Sequence, residues 1–324
     1  MGTGMLVDGQ WQTKEYQTDN KGGFKRNPTT FRDRVTADGS SGFKAEANRY
    51  HLYVSYACPW AHRTLILRQL KGLEDAISVA VVDPYMGEMG WQFSDAPGAI
   101  PDPLFQAQYL QEIYVKADSH YTGRVTVPIL WDKQKDTIVN NESREIIRML
   151  DHEFNAIAKH PEINFCPQDL KPKIEETMDA IYNPINNGVY RSGFAQSQEA
   201  YNEAVTELFE QLDRWEKVLS QQRYLCGEVI TEADWCMFTT LIRFDLVYYV
   251  HFKCNIRHIY EYPNLWNYLK DLYQQPGVKK TCDFFHIKQH YYTSHPFVNP
   301  SGIVPQGPEI NFDEPHNRSE NCHS

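Results

Sequence analysis

Tyr50-His-Leu-Tyr-Val-Ser-Tyr-Ala-Cys-Pro-Trp-Ala-His-Arg-Thr-Leu-Ile-Leu67 contains the change of hydrophobic period that decides the fold of this chain. Its first half, Tyr50 to Ala57, is dense in aromatic and β-branched residues and predicts a strand, while from Ala61 to Leu70 the apolar residues recur at helical spacing. Cys58 therefore stands at a strand-to-helix junction. Pro59 suits the first helical position, where its missing N–H would have no intrahelical partner and its φ is already helical. A thiol placed there meets free backbone donors and the positive end of the helix dipole, which predicts a pKa lowered from ~8.5 into the range ~3.5–7.5 and makes Cys58 a candidate nucleophile. A buried structural cysteine is the other reading, since free Cys is among the most buried residue types. Ala61 occupies the position, one helical turn on, where a dithiol oxidoreductase would carry its second cysteine. Any disulfide at Cys58 is then made with a small external thiol and released by a second one.

Composition limits the partners. The 324 residues, 41% of them hydrophobic, suffice for two ordinary domains. Lys+Arg 32 against Asp+Glu 42 leaves a net charge of −10, with no basic stripe, so nucleic acid and anionic membrane are poor partners and a small neutral or thiol-bearing ligand is expected. The seven cysteines, at 58, 166, 226, 236, 254, 282 and 322, are odd in number and too scattered for a disulfide framework, which points to a reducing, cytoplasmic setting. His286 with His290, and His251 with Cys254, stand at ligand-like spacing but without further ligands, so no metal is expected. The first residues show no secretory pattern, Leu6 replaces the Ser or Thr of a myristoylation signal, and no apolar run approaches the ~18 residues of a membrane span.

Along the chain, residues 1–49 are polar and Gly-rich and predict an arm that must lie on something else to be ordered. Residues 50–151 predict a small mixed sheet covered by helices: strand, helix, an apolar strand at Ile77 to Val82, a long loop from Pro84 to Pro103, a helix from Leu104 to Ala117, strands at Val125 to Trp131 and Thr137 to Asn140, and a helix from Glu142 to Leu150. A linker follows at 152–166. Strand signals then vanish, and 167–293 predicts an all-helical domain with helices at Leu170 to Ile185, Gln198 to Leu219, Glu232 to His251, Leu265 to Gln274 and Val278 to Tyr291. Thr231-Glu-Ala-Asp234 is a capping box that starts the central one. Residues 294–324 read as an irregular extension.

A single cysteine ahead of a helix, Val127-Pro128 before a strand, Glu142-Ser143 opening a helix and a helical second half resemble the glutathione transferase fold, an α/β thioredoxin-like domain followed by an all-α domain. More narrowly, Ala57-Cys-Pro-Trp-Ala-His-Arg63, Arg124-Val-Thr-Val-Pro128, Asn141-Glu-Ser-Arg-Glu-Ile-Ile-Arg148 and Asn187-Gly-Val-Tyr190 resemble the glutathionyl-hydroquinone reductases, the Xi class. The resemblance covers nearly the whole chain. It implies reduction of glutathionyl-hydroquinones to hydroquinones with glutathione as co-substrate, Cys58 taking the glutathionyl group, and a homodimer. By position it implies that Val127 pairs its backbone with glutathione before a cis Pro128, that Glu142 and Ser143 hold the γ-glutamyl end, that Trp91 and Arg124 line the glutathione site, and that Tyr190, Tyr248 and Tyr291 serve the quinone. A carboxylate ligand at Ser143 agrees with the physics of a helix N-terminus, and phenolic donors suit a ring that must gain a proton as sulfur departs. An Omega-like thiol transferase or dehydroascorbate reductase shares the lone cysteine but lacks the arm and the tyrosine-bearing tail; a non-catalytic ligand carrier would have no need of a reactive thiolate.

Overall fold

The computed structural model of the protein describes residues 4–14 and 17–318; Cys322 and the end of the C-terminal extension lie outside them. The decisive stretch folds as a strand, β3 (Tyr50–Val54), followed directly by α1 (Pro59–Leu70), with Cys58 as the N-cap and Pro59 in the first turn. Returning from α1, the chain forms β4 (Ser78–Val81), which pairs parallel to β3 with His51 opposite Ser78. On the other side of β3 lies β7 (Ile129–Asp132), antiparallel, and beyond it β8 (Thr137–Asn140), so the four-stranded order is β4-β3-β7-β8. β7 is shorter than the Val125 to Trp131 expectation because Pro128 has no N–H to give to the ladder, and pairing with β3 starts at Ile129. The sheet is covered by α1 and by α3 (Ser143–His152), whose apolar stripe of Ile146, Ile147 and Leu150 is buried.

Two features of this half escape a periodicity reading. The arm forms its own hairpin, β1 (Gly4–Val7) with β2 (Gln10–Thr13), tied to the body where Leu6 exchanges backbone hydrogen bonds with Gly123. The long loop contains a two-residue ribbon, β5 (Met86–Gly87) with β6 (Gly90–Trp91). The helix expected from Leu104 is only α2 (Leu110–Ala117). The reason is Asp102, buried, whose carboxylate accepts from the N–H groups of Leu104, Phe105 and Ala107 (3.0–3.1 Å) and holds a turn with Gln106 at φ 54°; a side chain that offers those donors an alternative partner defeats the helix locally.

The second half is helical throughout: α4 (Lys171–Ile181), α5 (Gly188–Gly193), α6 (Gln198–Leu219), α7 (Glu232–Arg243), the single turn α8 (Tyr249–His251), α9 (Pro263–Tyr273) and α10 (Phe284–Ser294). The expected long helices are interrupted. Wide π turns at Tyr182–Asn186 and Phe244–Tyr248 separate α4 from α5 and α7 from α8. Pro184 in the first of these removes a helical donor, which widens the turn. The expected Val278 to Tyr291 helix divides into a 3-10 turn and α10, restarted by Asp283, whose side chain accepts from the His286 N–H at 2.8 Å. The Thr231/Asp234 capping box forms as expected, with the Asp234 carboxylate taking both the N–H (2.7 Å) and the hydroxyl (2.9 Å) of Thr231.

α1 belongs to both halves. It packs on α3 and α7. His62 Nε2 pairs with Thr281 Oγ1 at 2.8 Å, and Arg63 spans from Ser143 Oγ (3.2 Å) to Asn186 Oδ1 (3.1 Å). One continuous apolar core runs through both halves, and the cleft between them opens at the N-terminus of α1. No helix of the described residues is long and apolar enough to cross a membrane.

Candidate active site

A cavity of about 390 Å³ lies in that cleft, and its wall includes Cys58, Trp91, Arg124, Val127, Pro128, Glu142, Ser143, Tyr190 and Tyr291. Nine of the ten residues singled out from the sequence thus meet in one space, from six separate parts of the chain. Tyr248 is the exception. It is fully buried and lies outside the cavity wall, whereas the resemblance implies a place at the ligand. Its hydroxyl instead meets that of Tyr291 at 3.0 Å, and Tyr291 in turn meets Tyr190 at 2.5 Å. Burial raises all three phenols, Tyr248 to about 12 and Tyr190 and Tyr291 well above the ordinary value, so each keeps its proton and can donate.

Cys58 Sγ points across the α1 N-terminus toward Val127, whose carbonyl accepts from the thiol at 3.5 Å. Burial pushes the thiol up, against the lowering expected of a helix N-terminus, while the Ala61 and Trp60 N–H groups and the Arg243 and Arg26 guanidinium groups pull it down. The residue still shows part of its surface to the cavity. Val127-Pro128 is cis, and the Val127 N–H has no protein acceptor among the described residues, leaving a backbone donor and acceptor side by side for an extended ligand.

Glu142 caps α3, accepting from the Arg144 N–H at 3.2 Å and from the Thr29 hydroxyl at 3.2 Å, with lone pairs to spare for a cation. Ser143 follows as the first helical residue, with its hydroxyl on Arg63. Arg63 is 3% exposed and has no carboxylate within ion-pair distance among the described residues, so the Ser143 corner is an anion site backed by a buried cation as well as by a helix end. Trp91 stacks on His290 (centroids 4.6 Å apart, 21° between planes). Arg124 Nη1 donates to the carbonyls of Gly4 (3.2 Å) and Lys14 (3.4 Å), which ties the arm hairpin to the cavity wall.

The sequence reading missed three contributors, Arg26 of the arm and Arg63 and Arg243 beneath the cavity, and weighed His290, which is on the wall, only as a metal ligand. Arg63 had a legible signal, a charged residue within the apolar face of α1; nothing local marked Arg26 or Arg243. Arg243, fully buried at the end of α7, donates to the carbonyls of Ala57 (2.8 Å), Tyr56 (2.9 Å) and Thr239 (2.6 Å) and to His62 Nδ1 (3.1 Å), which locks the turn that carries Cys58. No group of three or more potential metal ligands occurs among the described residues. All six described cysteines are free thiols, and Ala61 leaves Cys58 without a resolving partner one turn on.

Comparison with known proteins agrees with this architecture. A family model for the glutathione S-transferase N-terminal domain matches residues 57–153, and one for the glutathione S-transferase C-terminal domain matches 198–271. Glutathionyl-hydroquinone reductase YqjG of Escherichia coli is 53% identical over 97% of this chain and 98% of its own, and glutathionyl-hydroquinone reductase PcpF of Sphingobium chlorophenolicum is 49% identical over 94% and 96%. Among solved structures, a Xi class transferase from Natrialba magadii superposes with a TM-score of 0.93 at 55% identity, covering 98% of this chain and 97% of its own, and the glutathione-bound structure of the Escherichia coli protein with 0.90 at 51%, covering 98% and 99%. With its lone cysteine at the helix N-terminus and likeness along nearly its full length, this chain belongs to the glutathionyl-hydroquinone reductases, the Xi class of glutathione transferases.

Proposed function

We propose that this protein reduces glutathionyl-hydroquinones to hydroquinones with glutathione as co-substrate, through a mixed disulfide at Cys58. The observation that carries the reading is that a single thiol and a pair of protonated phenols, Tyr190 and Tyr291, open onto one cavity between two domains. Cys58 as thiolate attacks the glutathionyl sulfur. The carbon–sulfur bond breaks with its electron pair on the ring carbon, which takes a proton and leaves as hydroquinone. Glutathione thiolate then attacks the glutathionyl sulfur of the mixed disulfide, releasing oxidised glutathione and Cys58 thiolate. The tyrosine pair supplies hydrogen bonds to the phenolic oxygens as charge develops on the ring.

Glutathione lies along Val127 as an added strand, its γ-glutamyl ammonium at Glu142 and carboxylate at Ser143, with Trp91 and Arg124 flanking it and Pro128 at the turn. A ligand N–H that takes the Val127 carbonyl removes the acceptor of the Cys58 thiol while the Trp60 and Ala61 donors stay, so ligation itself favours the thiolate. Tyr248 acts by positioning Tyr291. The division into an arm (1–49), thioredoxin-like unit (50–151), linker (152–166), helical unit (167–293) and extension (294–324), a homodimeric state and a cytoplasmic location complete the reading; the unpaired cysteines support the last.

Intact-protein mass spectrometry after stoichiometric glutathionyl-hydroquinone should show one glutathione added, at Cys58. Cys58→Ser should abolish adduct and turnover, because a serine hydroxyl neither ionises at neutral pH nor exchanges with sulfur. Turnover retained in that variant, or faster glutathione consumption with dehydroascorbate than with the hydroquinone conjugate, would refute the reading.

A further inference from the structure

The arm brings Arg26 onto the cavity wall beside Tyr190, with Lys25 next to it in the chain. The Arg26 guanidinium carbon lies 4.1 Å from the Trp60 ring centroid, 4.9 Å from that of Tyr190 and 5.4 Å from that of Phe24. Its Nε donates to Asn187 Oδ1 at 3.0 Å, which fixes the plane of the group. Both Nη groups are without a protein acceptor among the described residues, and no carboxylate lies within ion-pair distance of it. Of the described residues on the cavity wall only Glu142 is acidic, and its carboxylate accepts from the Thr29 hydroxyl and the Arg144 N–H. A cation held in plane by a neutral amide, backed by aromatic rings and facing a space without a counter-charge is a recognition element waiting for an anion. A planar fork with two open Nη groups matches the two oxygens of a carboxylate better than a single phenolate oxygen.

We propose that Arg26 makes the aryl subsite selective for hydroquinones whose ring carries a carboxylate. The inference rests on the reductase reading for its reaction and on Arg26 for its ring. The Trp60 and Tyr190 rings lie against the guanidinium, so the carboxylate docks at its open Nη edge while the hydroquinone ring lies toward Tyr190 and Tyr291, with its sulfur-bearing carbon directed at Cys58.

Two measurements on the full-length protein test this. Calorimetry at saturating glutathione would compare 2,5-dihydroxybenzoate with plain hydroquinone, and steady-state kinetics would compare their glutathionyl conjugates, for wild type, Arg26→Gln and Arg26→Lys. Wild type should favour the carboxylated ring by about 10–100-fold, the range of a charge-assisted hydrogen-bond pair. Arg26→Gln should reduce that ratio to within about threefold, and Arg26→Lys, which keeps the charge but loses the fork, should recover part of it. No preference in wild type, a preference retained in Arg26→Gln, or an equal loss for both rings together with glutathione affinity would overturn the proposal, the last outcome marking Arg26 as an anchor of the arm. If neither conjugate turns over but the binding preference follows Arg26, the reductase reading falls and the carboxylate subsite stands.

Discussion

Cys58 and Arg243 show how a single residue's chemistry depends on groups far along the chain. The thiol is raised by burial and lowered by nearby donors and cations, and Arg243 also holds the carbonyls of the two residues before it. Alkylation follows the thiolate fraction, so in the ligand-free protein its rate should climb with pH through a pKa above the ordinary cysteine value. Arg243→Met removes a buried cation that favours the thiolate and should move that profile higher still, slowing iodoacetamide at neutral pH by about tenfold. It also leaves carbonyls without donors at about 1–3 kcal/mol each, so Arg243→Lys, which keeps the charge, separates the effect on the thiol from loss of fold. An unchanged alkylation profile in a folded Arg243→Met protein would remove the cation from the account. Tyr291→Phe deletes the hydroxyl shared by Tyr190 and Tyr248 and should slow hydroquinone release while sparing the reaction of Cys58 with alkylating reagent; equal loss in both assays contradicts the assignment. The position of Cys58 was legible because a period change and a proline mark it. Its pKa direction was not, because desolvation is set by what α7 and the arm lay over it, and no local pattern encodes that.

At the level of elements, strong periodicity was read well and interruptions poorly. α6 matches its expected bounds and α1 begins at the expected proline, since a 3.6-residue stripe facing a core is a local property. The shortening of α2 by Asp102, the π turns after α4 and α7 and the restart of α10 at Asp283 each depend on a side chain or backbone group that competes for donors within one turn. The arm hairpin pairs locally, but strands of four residues are too short to show a period, and its seat, the loop at Gly123, is more than a hundred residues away. Its seat can be tested. Gly90 has φ +79°, and a Cβ there would come within 2.7 Å of the Trp11 ring, whose indole N–H is fixed on the Glu88 carbonyl at 3.0 Å. Gly90→Ala should therefore cost about 1–3 kcal/mol of stability by strain and displacement of Trp11. It should also weaken glutathione binding, since Arg124 is positioned by the same hairpin; calorimetry showing full affinity would separate the arm from the ligand site.

Taken whole, the molecule holds an unusual number of neutral histidines inside. Burial pushes His51 and His290 to about 4 and His251 to about 3, and takes His62 and His295 well below the ordinary value. Once unfolded, each titrates near ~6.5. The unfolded chain thus binds more protons below that pH, so the stability these groups contribute is complete above about pH 6.5 and is lost as the pH falls toward 4. Differential scanning calorimetry should find Tm level above pH 7 and falling continuously from pH 6.5 to 4.5. A level Tm across that interval would mean that the histidine cluster of α8 and α10 is hydrated or charged in the native state.

The cavity wall draws on residues as early as Gly4 and as late as His295. A ribosome delivers Cys58 after the arm but before α5, α7 and α10, so for part of synthesis the nucleophile exists without its tyrosines and its buried cation. Domains emerge and fold from the N-terminus, and the thioredoxin-like half must therefore pass through a period as a bare thiol protein, open to whatever small thiols and disulfides surround it. Chains stalled before α4 should react with oxidised glutathione at Cys58 at the rate of a surface cysteine, whereas in completed chains that rate should depend on the ligand contacts of the cavity and fall with Glu142→Gln.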